Sequence, residues 1–388
     1  MSEYQYYEFL AVDKALDAAQ MDELRGLSTR AHITPTSFVN TYQWGDLRGD
    51  PRRLMERYFD AFLYLANWGT RRLMLRLPKR LLDLPTAQQY CPTDIAATAW
   101  ARNSHVIIEL TYDSDDGGDW DDEDGHGILA TIISARADLA AGDLRLLYLA
   151  WLHAASTGEL DDDQVEPPVP ANLATLNAPL RSLADFIRLD QDLLAVAARA
   201  STRHKAAEAP RAQLASWVQD LPAKEKDGMI LRVIRGEDVH LRTELLRRFH
   251  GQPAPNAQAG SGRTVADLLD AAQTRRERRE REQAQERELA RARAERDAAA
   301  EHDRRLDALA AEGEHAWVQV TQLIETKKTS EYDVAVGLLR DLHELAWREG
   351  EPDTFDKRLR DLRQRYANRP GLLQRINHAG LPAATGRS

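Results

Sequence analysis

Cysteine is nearly absent. Cys91 stands alone among 388 residues, which excludes an internal disulfide and any zinc site built from several thiolates, and fits a reducing compartment. A lone cysteine of this kind is ordinarily a small buried hydrophobe. Long apolar runs are missing too, since none approaches the roughly eighteen residues that a membrane-spanning helix needs. The opening MSEYQYYEFLAVD is acidic and strand-like where a signal peptide is basic and then apolar, so the expectation is a soluble, cytoplasmic protein without membrane contact. Positive charge is in deficit: the formal net charge is -10 and the pI about 5.6. That argues against a surface that coats nucleic acid or an anionic membrane as a whole, while leaving room for a local basic patch.

Motifs that carry chemistry are also lacking. The eleven histidines include no His-x-x-x-His pair and no His/Cys cluster, so a catalytic zinc has no ligand set. There is no Gly-x-Ser-x-Gly elbow, and Cys91 beside Pro92 has no evident activating base. No catalytic, cofactor-binding or metal residue is assigned, and no cofactor is implied.

Periodicity and turn signals divide the chain instead. Tyr4 to Val12 is aromatic and β-branched and predicts a strand. Asp17 with Gln20 forms a capping box ahead of a helix burying Met21, Leu24 and Leu27. Ile33 to Trp44 predicts a second strand. Asp50-Pro51 opens another helix, with Leu54, Tyr58, Phe62 and Leu65 on one face. Arg71 to Leu77 alternates as a third strand, with Arg72, Met74 and Arg76 on a solvent face, and His105 to Tyr112 is a fourth. These elements predict an α+β domain over residues 1–125, followed by a helical region at 126–250 that packs on it. The Pro/Gly/Ala/Ser-rich segment 251–263 predicts a flexible linker. Residues 264–312 then predict one long charged helix, in which positions 275 to 305 hold eleven Arg against nine Asp or Glu. Leu289 is its only apolar residue besides alanine between Leu269 and Leu306. A coiled-coil seam is therefore missing, and self-association through this helix is not expected. At 1.5 Å per residue it predicts a spacer of about 70 Å, swinging on its linker. Residues 313–381 predict a C-terminal helical module with stripes at Trp317, Val320, Leu323 and Ile324, at Val334, Leu338, Leu342 and Leu345, and at Phe355, Leu359 and Leu362, ended by Pro370. A tail at 382–388 predicts disorder.

Four segments invite a functional reading. The loop from Asp113 to Asp124 places eight carboxylates in twelve residues, but Gly117 replaces an expected ligand and the final bidentate Glu is missing, so a solvated or partner-facing loop is the better expectation than a cation site. Residues 257–264 resemble a phosphate loop only superficially, with Arg263 where the lysine belongs. The run Arg275 to Arg281 is interleaved with glutamates and predicts a solvated face. Arg72, Arg76, Lys79 and Arg80 cluster near Tyr42 and Trp44 in sequence, a pattern by which a sheet holds single strands. They are the candidate nucleic-acid contacts.

YQYYEFLAVD, STRAHITPTSFVNTYQWGD, YLANWGTRRLMLRLP, AGDLRLLYLAWL and EPPVPANL together resemble an uncharacterised bacterial family, one with no assigned activity. YDVAVGLLRDL and RPGLLQRINHAGL are similar to the tail of bacterial SWIM zinc-finger proteins, although the Cys and His ligands of that motif are missing here, so zinc does not transfer. The resemblance implies a DNA-linked or defence-like setting. The expectation is a non-catalytic adaptor for protein partners, with Trp317, Tyr332 and Trp347 as candidate anchors because Trp and Tyr dominate interface energetics. The same residues also fit as helix core, and both readings stay open. The alternatives are a nucleic-acid accessory protein using the basic strand face, and an enzyme with an unrecognised site in the N-terminal domain.

Overall fold

The computed structural model describes residues 4–113, 125–203, 211–235, 239–249 and 262–382. They form two compact units that divide between Arg279 and Glu280.

The first unit is built on a seven-stranded antiparallel sheet in the order β2-β3-β1-β4-β5-β7-β6. Its strands are β1 (Gln5–Leu10), β2 (His32–Thr34), β3 (Ser37–Tyr42), β4 (Ala61–Ala66), β5 (Arg71–Pro78), β6 (Ala97–Arg102) and β7 (His105–Tyr112). Phe9 lies opposite Phe38 on one side and Phe62 on the other, which sets the register of the central strands by aromatic pairing. Helix α1 (Ala18–Leu27) opens with the Asp17/Gln20 capping box, and α2 (Pro51–Arg57) with Asp50 as N-cap. Both were legible in sequence.

Three local expectations are corrected. The helix after Asp50 ends at Arg57, and Phe62 and Leu65 belong to β4, buried along its whole length. A central strand covered on both faces is apolar throughout, so its spacing does not separate it from a helix face. Ile33 to Trp44 folds into two strands, β2 and β3, paired directly as a short hairpin. Strand β6, ATAWAR, was not anticipated; it pairs with β7 through the Asn103-Ser104 turn, where Asn103 takes φ 51°, a conformation asparagine tolerates.

Both faces of the sheet are covered. On one, Leu63, Leu73, Leu75, Ile108 and Leu110 join a core completed by helix α6 (Arg145–Ser156), whose LLYLAWLHAA segment is buried on every side. Helices α3 (Leu84–Tyr90), α4 (Ile128–Ile132), α5 (Ser134–Ala140), α7 (Ala178–Phe186) and α8 (Gln191–Ala197) complete this layer. On the other face, Phe9, Phe38, Phe62, Met74 and Ile107 form a second core with Leu24 of α1 and Leu54 and Met55 of α2. Met74 is fully buried, so the expected solvent face of β5 is in fact interior. Helices α9 (Arg211–Asp220), α10 (Ala223–Ile234) and α11 (Leu241–Phe249) follow.

Helix α12 (Val265–Glu312) is continuous over 48 residues, as expected, but its start is fixed rather than swinging. Thr264 and Asp267 cap each other reciprocally, and the Val265 amide donates to the Gln164 carbonyl. Val265, Leu268 and Ala272 are buried in the sheet-helix core. Arg263 donates from Nε and Nη2 to the buried Glu166 carboxylate, at 2.9 and 2.7 Å. Arg276 pairs with Asp190 at 2.5 Å, and Arg275 and Arg279 with Asp192 at 3.1 and 2.9 Å. These first turns belong to the first unit. Of the anticipated linker, residues 251–261 lie outside the described residues.

The second unit contains the remainder of α12 with α13 (Glu314–Glu325), α14 (Thr329–Glu349), α15 (Pro352–Arg365) and α16 (Pro370–His378). Gly313, at φ 51°, separates α12 from α13, and Gly350, left-handed at φ 77°, closes α14, the position where a Cβ is least tolerated. Pro370 does not end a stripe; it starts α16, where its missing N–H costs nothing. The core joins Leu309, Val320, Ile324, Leu339, Leu342, Leu345, Phe355, Leu359, Leu372 and Ile376. The stripe of α14 runs through Ala335, Val336, Leu339, Leu342 and Leu345, one position on from Val334 and Leu338, and Val334 is exposed.

Candidate partner-binding surfaces

The four basic residues proposed for nucleic acid do not form an open patch. Arg72 donates to Glu109 Oε1 from Nε and Nη2, at 2.9 and 2.5 Å, and Arg52 donates to Oε2 at 2.7 Å. Glu109 is buried, so the arginines neutralise a charge that the interior would otherwise have to desolvate alone. Arg76 donates to Asp60 Oδ1 from Nε and Nη2, at 3.1 and 2.9 Å, and to the Met55 carbonyl at 2.9 Å. Asp60 also accepts the Val12 and Asp13 amides, both at 2.8 Å. Arg136 reaches Asp13 at 2.6 Å, and His240 Nε2 lies 2.9 Å from the same oxygen. Burial alone would raise the Asp13 carboxyl; hydrogen bonds from His240 and Arg136 outweigh it and hold the group well below the usual carboxylate range. Arg80 pairs with Glu244 at 2.5 Å. Of the four, only exposed Lys79 has no ion pair among the described residues.

The other motifs resolve as follows. Asp113 is described, but 114–124 of the acidic loop lie outside the described residues, as do 257–261 of the phosphate-loop lookalike. Its Arg263 and Thr264 serve as the anchor and cap of α12. The run Arg275 to Arg281 is a largely exposed face, as expected, and it also supplies three of its arginines to Asp190 and Asp192. Cys91 is buried, and burial pushes its thiol up to about 12, which leaves it without thiolate character. A depression of about 700 Å³ beside β6 is lined by Arg52, Glu56, Cys91, Thr98 and Trp100 among others. Of its charged groups, Arg52 is committed to Glu109 and Glu56 accepts the Trp100 indole N–H at 3.1 Å, while Asp94 is exposed at its rim.

The three aromatic anchors separate. Trp317 and Tyr332 pack partly buried against the second unit's core, with Trp317 5.5 Å from the Phe355 ring. Trp347 is different, being 65% exposed. Its indole N–H donates to His343 Nε2 at 3.2 Å, and His343 packs 5.1 Å from Phe355, so the exposed ring is held in place.

One surface was missed in sequence. On α10, Ile230, Leu231, Val233 and Ile234 are all at least half exposed, Ile234 reaching 74%. The opposite side of the helix is occupied: Arg232 pairs with Glu244 of α11 at 2.8 Å, and Glu225 with Arg248. At 100° per residue Val233, Ile230, Ile234 and Leu231 fall on one arc. The run MILRVI was the available signal, within a segment whose sequence predicts only a helix.

No protein-family model, no curated protein and no solved structure matches the chain. Among the described residues no helix is long and apolar enough to cross a membrane, and no group of three or more His, Cys, Asp or Glu side chains is placed to hold a metal ion.

Proposed function

We propose that the chain is a non-catalytic adaptor that holds one protein partner on its first unit and another on its second. The observation that carries this reading is the aliphatic face of α10 that the described residues leave uncovered. Fully burying a Val, Leu or Ile side chain is worth about 1.5–3 kcal/mol; four side chains left half exposed or more therefore offer a partner roughly 4 kcal/mol. Isolated exposed aliphatics are ordinary, whereas a contiguous patch marks an interaction site. The resemblance of the C-terminal segment to SWIM tails would put these partners in a DNA-linked setting.

The test is affinity purification with mass spectrometry on the full chain and on a variant with Ile230→Gln, Leu231→Gln, Val233→Gln and Ile234→Gln. Selective loss of a partner in the variant is the expected result, and an identical partner list sinks the reading. Light scattering on both proteins separates a second copy of this chain from a different partner. Truncation at Gly262 is unsuitable, because it removes Val265, Leu268 and Ala272 from the first unit's core.

A further inference from the structure

The second unit carries a cleft of about 340 Å³ between the end of α12, α14 and the start of α15. Its floor is apolar, with Trp317, Leu342, Leu345 and Phe355, and its mouth is acidic, with Glu314, Glu349 and Glu351. Most carboxylates around α14 have partners: Asp341 pairs with Arg305 at 3.1 Å, Asp307 with Arg348 at 2.5 Å and Glu314 with Arg358, and Glu344 accepts a hydrogen bond from His302 at 2.9 Å. Glu349 and Glu351 are exposed and have no ion pair among the described residues. Glu349 is the last residue of α14, where the helix dipole is already negative and acids are disfavoured, whereas Glu351 is the N-cap of α15, at the positive end of that helix. For Glu349 the two effects add, and with Glu351 beside it the mouth is a place where a cation is stabilised.

The cleft already shows the chemistry it accepts. The Arg358 guanidinium lies 5.5 Å from the Trp317 ring centroid while bonded to Glu314, so an aromatic face and a carboxylate hold a cation together. Glu349 and Glu351 repeat the carboxylate half of that arrangement with no cation supplied by the described residues. The floor is firm, because Phe355 is buried and wedged between Trp317 and His343. A cleft near the lower end of ligand-pocket sizes takes one or two side chains rather than a whole small molecule.

We infer that this cleft docks a basic amphipathic segment of a partner protein. One large apolar side chain of that segment sits against Trp317, Leu345 and Phe355, and adjacent Lys or Arg residues pair with Glu349 and Glu351. The inference rests on the adaptor reading in supposing a second partner, but its test does not involve α10.

The test uses the full chain and fluorescence anisotropy with a labelled helical peptide of Leu and Lys at amphipathic spacing. A Leu/Glu peptide and a Ser/Lys peptide serve as comparisons. The Leu/Lys peptide is expected to bind, with the other two weaker by about tenfold or more, because charge and anchor are both required. Glu349→Lys with Glu351→Lys, and separately Thr354→Trp, which fills the mouth from an exposed position, should each weaken it by about tenfold. Glu286→Lys with Glu288→Lys makes the same net-charge change elsewhere on the second unit and should leave binding unchanged. Equal weakening by the two charge-reversal pairs, equal binding of the Ser/Lys peptide, or indifference to Thr354→Trp overturns the proposal. The α10 glutamine variant should lose its purified partner and retain peptide binding; an identical partner list with peptide binding intact fails the adaptor reading alone, and loss of the partner without any peptide binding by the parent chain fails the cleft alone.

Discussion

Replacing Arg263 by alanine should release the first turns of α12 from the first unit. The guanidinium makes two bonds to Glu166 and also donates to the Val196 and Ala197 carbonyls, at 3.2 and 3.3 Å. The Glu166 side chain is 0% exposed and Arg263 23%. Removing one member of a buried pair costs about 3–5 kcal/mol because the remaining charge stays desolvated; the partial exposure of Arg263 favours the lower end, about 3 kcal/mol. The Tyr148 hydroxyl also donates to Glu166. Burial first, and then the Glu166 charge, push that hydroxyl far above its ordinary pKa, so it stays a donor across the working range but supplies no compensating charge. Denaturant titration measures the global loss, and hydrogen exchange of amides 265–279 measures the local one. Exchange in α13 should not change. A double variant, Glu166→Leu with Arg263→Leu, removes the stranded charge together with its partner and should cost less than Arg263→Ala alone. Stability within about 1 kcal/mol of the parent, with unchanged exchange at 265–279, would refute the anchoring argument.

Two further outcomes follow from buried ionisable groups. Burial lowers the pKa of His153, whose Nε2 lies 2.8 Å from the Thr111 carbonyl. The folded state thus prefers neutral imidazole, and its stabilising contribution is present above the unfolded value of about 6.5 and lost as pH falls. Asp13, held low by His240 and Arg136, contributes above about pH 4 and loses that contribution below it. Denaturation midpoints should therefore fall in two steps on acidification, and His153→Gln should shrink only the first, to which His105, also lowered by burial, contributes as well; a loss that begins on the alkaline side of neutrality contradicts the assignment. Arg76→Ala leaves buried Asp60 with the Val12 and Asp13 amides and Arg136 at 3.7 Å, and should cost about 3 kcal/mol in denaturant titrations, the lower end for a broken buried pair, while Lys79→Ala should be nearly neutral. If Arg76→Ala leaves stability intact but weakens binding of a labelled single-stranded oligonucleotide, the basic strand face is a nucleic-acid site after all.

What sequence disclosed and what it concealed divide along the range of the interactions. The Asp17/Gln20 box, the Asp50-Pro51 start and the extent of α12 depend on neighbours within a turn, and all were legible. The role of β5 was not. Alternation correctly placed Arg72, Met74 and Arg76 on one side, but whether that side is wet depends on α1 and α2 covering it and on Glu109 and Asp60 arriving from other elements. Local pattern contains none of these partners. The same blindness affected α12, where Arg275, Arg276 and Arg279 lie on the expected exposed face but also pair with Asp190 and Asp192, more than eighty residues upstream. The α10 patch shows the reverse failure. The run MILRVI lies in a region expected to be helical and packed on the domain, and that pattern does not tell that the described residues leave Ile230, Leu231, Val233 and Ile234 uncovered.

Helix α12 shows how these contributions combine within one element. Its first turns bury Val265, Leu268 and Ala272, and its last turns bury Leu306 and Leu309, so each end is stabilised by packing. Between them Leu289 is 71% exposed, and support comes from helix-forming residues and from exposed pairs such as Arg291 with Glu295 and Arg293 with Asp297, worth about 0.2–0.5 kcal/mol each. Helix formation carries a costly nucleus and cheap propagation. Two buried ends therefore supply nuclei, and a middle without an apolar seam is propagated from both. This explains how a segment unsuited to a coiled coil remains helical, and why the determinants of α12 lie in Arg263, Asp192 and the core of each unit rather than in its charged centre.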